Sequence, residues 1–359
     1  MEHAGIRTQA LNPAKLAALF HKQLQMSEIN AGDTIALISD LGTRPAYIEA
    51  AFAAADVIGA DIYEMKVNSM PVWTKVGVPT VGKVKGTLDA LMKADLIIIF
   101  HPPLFASWLG EVLRSGTRVL MVIDAPDELE QLFSPLGLKE AVLYAEERVK
   151  STKKFRVVSE AGTDFVCNLG DYRVLSWYGY ADRPGKVDQW GTGHVNTFPN
   201  EGSANGKVVI QPGDILVLPY CRYVVDRVEL DIRDGFITNI SGGLDAKLME
   251  EWLIAGQTEA ADRDPWAVSH IGWGMNPQAD WYGIALNGDV PERSHAAARA
   301  FSGNFLFSTG PNSLGGGKRH TRGHLDIPMR DCTISLDNDV IVERGKIIDP
   351  KMIVKREPR

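Results

Sequence analysis

Apolar residues in the first 150 positions fall into short runs separated by stretches of helical period. Residues 34–39 (TIALIS), 95–101 (DLIIIFH) and 118–123 (RVLMVI) are apolar at successive positions, and 61–67 also reads as a strand. Between them, 44–58, 87–93 and 104–114 carry helical spacing. Strands apolar on both faces need cover on both faces, which predicts an open, mostly parallel sheet in an α/β domain. Past a helical stretch at 139–150 the texture changes. Short strands are expected at 155–158, 163–168, 173–176, 207–209 and 214–218, separated by Gly, Pro, Asp and Asn. Residues 225–240 read as a hairpin around Asp234-Gly235. Helices at 246–255 and 292–300 follow, then strands at 332–336, 340–343 and 346–348. The expected organisation is an α/β domain over 1–150 and a strand-rich α+β domain over 151–359.

The chain has 359 residues, enough for about two domains. With 38 basic against 45 acidic residues the net charge is −7, which argues against nucleic acid or an anionic membrane as the main partner. Three widely spaced cysteines, Cys167, Cys221 and Cys332, form neither a zinc ribbon nor a disulfide framework. The first twenty residues lack the design of a secretory signal. The apolar run 96–100, like every other in the chain, is far shorter than the ~20 residues of a spanning helix. A soluble cytoplasmic protein is expected.

Several signatures are absent. The turn after the first strand, Ser39-Asp40-Leu41-Gly42-Thr43, is not a dinucleotide fingerprint. The glycine-rich 310–318 (GPNSLGGGK) breaks the phosphate-loop register, and reads equally as a mobile or substrate-flanking loop. Neither a G-x-S-x-G elbow nor an H-E-x-x-H helix occurs.

Eight histidines remain as candidate chemistry. His3, His21 and His295 read as solvated. His324 and Asp326, two apart in RGHLDIPM, would share a face if extended, and so could meet on one ion. A hydrogen-bonded surface pair fits the same spacing. His270, in SHIGWGMNP, is either a satisfied core histidine or a third ligand. Two histidines and one aspartate make the set that binds non-haem Fe(II) on one face. His101 ends a buried strand, and ligands of open α/β sheets gather beyond the carboxyl ends of strands. It reads as an acid or base there, or as a strand-end residue capped by backbone. His194 occupies an expected Gly-flanked loop, with Glu201 close behind.

The segments HVNTFPNEG, SHIGWGMNP and RGHLDIPM, in that order, resemble the 2,5-dihydroxypyridine 5,6-dioxygenases, distant relatives of the M29 metallo-aminopeptidases. The likeness runs over most of the chain and is strongest from about residue 191 to 329. The departures from the aminopeptidase pattern carry as much information as the matches. His270 stands where a metal-bridging Glu is expected, and Ser302-Gly303-Asn304-Phe305-Leu306 lacks the further His. Glu201 matches one aminopeptidase ligand, and His324 and Asp326 are retained.

The resemblance implies Fe(II) held by His270, His324 and Asp326. It implies His101 and His194 as acid and base beside it, and Ser308 with Glu201 near the substrate. For Ser308, a hydroxyl bonded to its own turn is an alternative, and for Glu201 a plain surface carboxylate. The implied reaction opens the ring of 2,5-dihydroxypyridine with O₂ to give N-formylmaleamate, in a homo-oligomer. The alternative is an M29-like metal-dependent aminopeptidase or other hydrolase, and a third reading is an inert binding protein. Trp266, Trp273, Trp281, Phe305 and Phe307 are candidate pocket walls, although aromatic residues at such spacing are more often core.

Overall fold

The computed structural model describes residues 11–68, 81–287 and 295–357. Packing divides the chain into two units. The first draws on Met1–Phe133, Gly179–Gly191 and Leu286–Gly288, the second on Ser134–Tyr178, Thr192–Ala285 and Asp289–Arg359. The change of texture near residue 150 and the packing division therefore fall at different places. Helix Leu138–Ser151 groups with the second unit. Strand Val187–Gln189 returns to the first, where it pairs with Arg118–Met121.

The first unit holds a five-stranded parallel sheet, in the order 61–66, 34–39, 96–99, 118–121, 187–189. Helices Pro13–Met26 and Pro45–Ile58 supply Leu16, Phe20, Leu24, Ala51 and Ala55 to a core with Ile35, Leu37, Leu96, Ile98 and Trp190. Central strands made of Ile and Leu are buried along their whole length, as doubly covered parallel strands must be. The strand at 187–189 escapes the sequence pattern because its buried residues are polar. Asp188 Oδ1 accepts from the amides of Gly179 and Gln189, and its carboxylate pairs with Lys186 at 3.0 Å.

The second unit contains an eight-stranded and a five-stranded antiparallel sheet plus a short two-stranded ribbon. The five-stranded sheet runs 326–329, 305–309, 268–274, 194–197, 175–177. Side chains alternate across it. Trp273, Phe305 and Phe307 leave on one face and meet Phe155 and Phe165 of the eight-stranded sheet, with ring centroids 6.0–6.4 Å apart. These three aromatic residues are core, and not pocket walls. The residues between them in the alternation occupy the opposite face: His270, Gly272, Gly274, His194, Asn196, Ser308 and Asp326.

The expected hairpin forms as Val228–Arg233 and Phe236–Gly242, with Asp234 and Gly235 both at positive φ. Helix 246–255 is observed as Leu244–Gly256. The start of the expected 292–300 helix lies outside the described residues, and the rest is helix His295–Ala300. His3 also lies outside them. His295, read as solvated, is buried, because this short helix carries alanines on nearly every side and packs inward. Among the described residues, no helix is long and apolar enough to cross a membrane.

Gly272 marks the closest approach in the five-stranded sheet. A Cβ there would stand 1.9 Å from the Val195 carbonyl oxygen and 2.8 Å from Asn196 Cα, both backbone atoms that cannot step aside. Gly272→Ala is expected to cost more than about 2 kcal/mol by forcing the 194–197 and 268–274 strands apart. Thermal unfolding followed by circular dichroism reads this as a lowered Tm. An unchanged Tm would show that the two strands do not approach this closely.

Candidate metal centre

Strand Val268–Gly274 and the segment that leads into strand Asp326–Met329 bring His270, His324 and Asp326 together on the face turned away from the aromatic core. The nearest ligand atoms of the three side chains all lie within 4.8 Å of one another, and no other such group of three or more occurs among the described residues. Each arrives by a local feature of the backbone. Along strand Val268–Gly274 the pairing with Phe305–Thr309 slips by one residue between Val268 and Ile271. Such a bulge sets two residues against one and bends the strand locally. His270 lies within it. Its carbonyl accepts a 2.8 Å hydrogen bond from Ser308 Oγ, which holds the bulge in place. Ser308 thus bonds across to the neighbouring strand, not to its own turn.

Asp326 stands directly opposite Ser308 at the start of strand Asp326–Met329. His324 precedes it by two residues, so both side chains leave on the same side, as the H-x-D spacing requires of an extended segment. The His324 ring is anchored through Nδ1, which donates to the Thr309 carbonyl at 2.5 Å in the tautomer that puts the lone pair on Nε2. Trp252 Nε1 donates to the His324 carbonyl at 3.1 Å, and the Leu325 amide donates to Thr309 Oγ1. The two imidazole centroids are 5.3 Å apart, and Phe198 packs edge-on to His270.

The electrostatics suit a cation. Burial pushes the His270 imidazole down to about 3, and the nearby Asp326 charge offsets only part of that. Burial also lowers His324. Both rings are therefore neutral at pH 7, the form that ligates a metal. Burial alone would raise the Asp326 carboxyl. The Arg299 guanidinium and the two imidazoles outweigh it, holding the group down at about 2 as a carboxylate. Arg299 Nε donates to Asp326 Oδ2 at 2.6 Å. Asp326 Oδ1 and His270 Nδ1 are buried and have no hydrogen-bond partner among the described residues. Buried polar atoms are seldom left so. Two neutral imidazoles and one carboxylate with an open oxygen form a donor set that fits a divalent transition metal such as Fe(II). Arg299 was not singled out from the sequence, where one Arg in an alanine-rich helix carries no motif.

The other candidate residues divide. His194 opens strand His194–Thr197 instead of lying in a loop. It sits on the same sheet face as His270, paired with Gly274, and its ring stacks on Trp177 at 5.5 Å. Glu201 is neither a plain surface carboxylate nor part of the three-residue cluster. Arg319 reaches both of its oxygens at 2.5 Å, Tyr172 donates to it at 2.6 Å and Asn312 at 3.0 Å. Arg319 also donates to the carbonyls of Val268 and Gly310, so this clamp ties the glycine-rich 310–318 loop to the strand bearing His270. His101 belongs to the other unit, just past the carboxyl end of strand Leu96–Ile99. Burial lowers its pKa, and Asp40, beyond the end of the adjacent strand, partly opposes that.

The family model of the NicX proteins, described as 2,5-dihydroxypyridine 5,6-dioxygenase, matches residues 15–349. A 2,5-dihydroxypyridine 5,6-dioxygenase of Pseudomonas putida KT2440 is 36% identical over 346 residues, which is 94% of this chain and 97% of that protein. The solved structure of the Pseudomonas putida KT2440 dioxygenase superposes with a TM-score of 0.89 at 35% identity, covering 96% of this chain and 99% of the other. AmpT of Thermus thermophilus superposes with a TM-score of 0.60 at 14% identity over 93% of this chain and 99% of its own, a likeness of fold alone. With residues 15–349 matched and His270, His324 and Asp326 gathered on one sheet face, this chain belongs to the 2,5-dihydroxypyridine 5,6-dioxygenase family.

Proposed function

We propose that this protein is an Fe(II)-dependent dioxygenase that opens the ring of 2,5-dihydroxypyridine between C5 and C6, converting it with O₂ to N-formylmaleamate. The observation that carries the reading is the buried cluster of His270, His324 and Asp326 in a chain matched to this family from residue 15 to 349. Fe(II), when bound, supplies the electrons that let ground-state O₂ react with an organic ring. A facial set of three protein ligands leaves further positions for small molecules. The reaction is a sum of substrate and O₂, with both oxygen atoms retained, so no nicotinamide or flavin enters the balance.

The chain's own part is to hold, orient and move protons. Asp326 supplies one negative charge and the neutral rings of His270 and His324 supply lone pairs. Withdrawing the proton of the 5-hydroxyl makes the ring more electron-rich. An imidazole is suited to take that proton near neutrality, and the lowered pKa of His101 keeps that ring in the receptive neutral form. His194 and His101 are assigned this acid–base work. His194 has the placement for it, on the ligand-bearing face and steadied by the Trp177 ring. Ser308 and Glu201 act on the substrate side through what they hold in place: Ser308 the bulge at His270, and Glu201 the Arg319 clamp.

The direct test is anaerobic loading with Fe(II) followed by 2,5-dihydroxypyridine and air, with oxygen uptake and ring absorbance recorded together. One O₂ consumed per ring lost, abolished by a chelator and restored by Fe(II), is the expected result. Peptide cleavage supported by zinc or cobalt, with no oxygen uptake, would replace this reading with a hydrolase. His324→Ala is expected to lose bound iron together with activity, as measured by metal analysis after desalting. His194→Ala and His101→Ala should retain iron while turnover falls by about 10²–10⁴-fold, the usual contribution of a positioned acid or base. An His324→Ala protein with full iron content and full activity would overturn the ligand assignment.

A further inference from the structure

We infer that Arg299 is a positioning residue of the metal centre: its guanidinium occupies one oxygen of Asp326 and thereby presents the other as a single-oxygen ligand. The inference rests on the metal-centre reading above. A carboxylate free to rotate can meet a cation through either oxygen or both. Here Oδ2 is taken by Arg299 Nε at 2.6 Å, while Oδ1 is buried and has no hydrogen-bond partner among the described residues. The pair is almost wholly out of water, with side-chain exposures of 12% for Arg299 and 1% for Asp326. In such surroundings a directional N–H···O bond fixes a rotamer more firmly than it would at the surface.

Arg299 is itself held by the strand that carries His270. Helix His295–Ala300 ends against the close of strand Val268–Gly274. The Gly274 amide donates to Asn304 Oδ1 at 2.7 Å, and Asn304 Nδ2 donates to the carbonyls of Ala298 and Arg299. The Asn276 amide donates to the Ala300 carbonyl at 2.8 Å. A Cβ on residue 274 would lie 2.3 Å from the Phe301 carbonyl oxygen and 2.6 Å from that of Arg299, so only glycine admits the helix this close. One strand thus sets both a ligand, His270, and the group that aims another ligand, Asp326.

The sign of the effect separates positioning from plain electrostatics. A cation beside a metal site repels the metal, so removing a mere charge should tighten divalent binding. Removing a positioning group should weaken it, because Asp326 then has to be ordered by the metal itself. The test titrates the full-length metal-free protein with Co(II), following the visible d–d bands and the heat of binding. Arg299→Gln is expected to raise the Kd for Co(II) at least about tenfold and to alter the band pattern. Arg299→Lys, a point donor without the guanidinium fork, is expected to give a smaller loss of the same sign. In the Asp326→Asn background the Gln exchange should change Kd by less than about twofold, since it acts through Asp326.

Either folded variant binding Co(II) as tightly as the parent, or more tightly, overturns the inference. So does an undiminished loss in the Asp326→Asn background. Absence of Co(II) binding by the parent protein overturns the metal-centre reading instead, which keeps the two failures apart.

Discussion

The second unit is organised around a carboxylate that has been taken out of water. Asp326 is 1% exposed. An ion moved into such surroundings loses hydration worth several kcal/mol, and keeps its charge only if positive groups or directed donors replace it. Arg299 supplies both, a positive charge and a directed N–H. The compensation is unsymmetrical: one oxygen is bonded and the other is not. That asymmetry leaves one buried carboxylate oxygen open beside two imidazoles instead of closing an ion pair. It requires strand 268–274, helix 295–300 and segment 324–329 to meet within a few ångströms.

A two-faced sheet makes that meeting compatible with a stable fold. On one face of strands 268–274 and 305–309, Trp273, Phe305 and Phe307 fill the space against the eight-stranded sheet. The alternating positions are then free to be histidine, glycine, serine or aspartate without cost to that core. The glycines in this set have a steric reason. At 272 and 274 neighbouring backbone occupies the space a side chain would need. His270 and Asp326 are placed there by strand pairing, and His324 by the segment that leads into strand Asp326–Met329.

Likeness to AmpT at 14% identity shows that this architecture is shared beyond the dioxygenases, and fold by itself does not choose a chemistry. The choice is made by a few side chains on that sheet face. Glu201, which matches a metal-binding carboxylate in the aminopeptidase pattern, is here neutralised by Arg319 and tied to the 310–318 loop. Its charge is spent on holding backbone in place. The carboxylate left open to a cation is Asp326, flanked by nitrogen donors, a set that favours a transition metal over the harder cations that prefer all-oxygen sites.

Much of this was legible in the linear chain. The parallel sheet announced itself because strands covered on both faces must be apolar at every position. The pairing of His324 with Asp326 followed from the two-residue period of extended chain. The order of the three histidine-bearing segments carried the family. Other features had no local signature. The strand at 187–189 is made of buried polar residues whose partners are distant in sequence. The burial of His295, the strand setting of His194 and the bond from Ser308 to the His270 carbonyl depend on which strands become neighbours. The one-residue bulge beside His270 exists only once strand 305–309 lies next to it. Arg299 shows the limit most plainly. Its residue type and its helix say nothing of function, and its role is set by 2.6 Å to a carboxylate 27 residues away. Alternation and burial are short-range properties that the order of residues determines, whereas the aim of a side chain across strands is fixed only when the sheet closes.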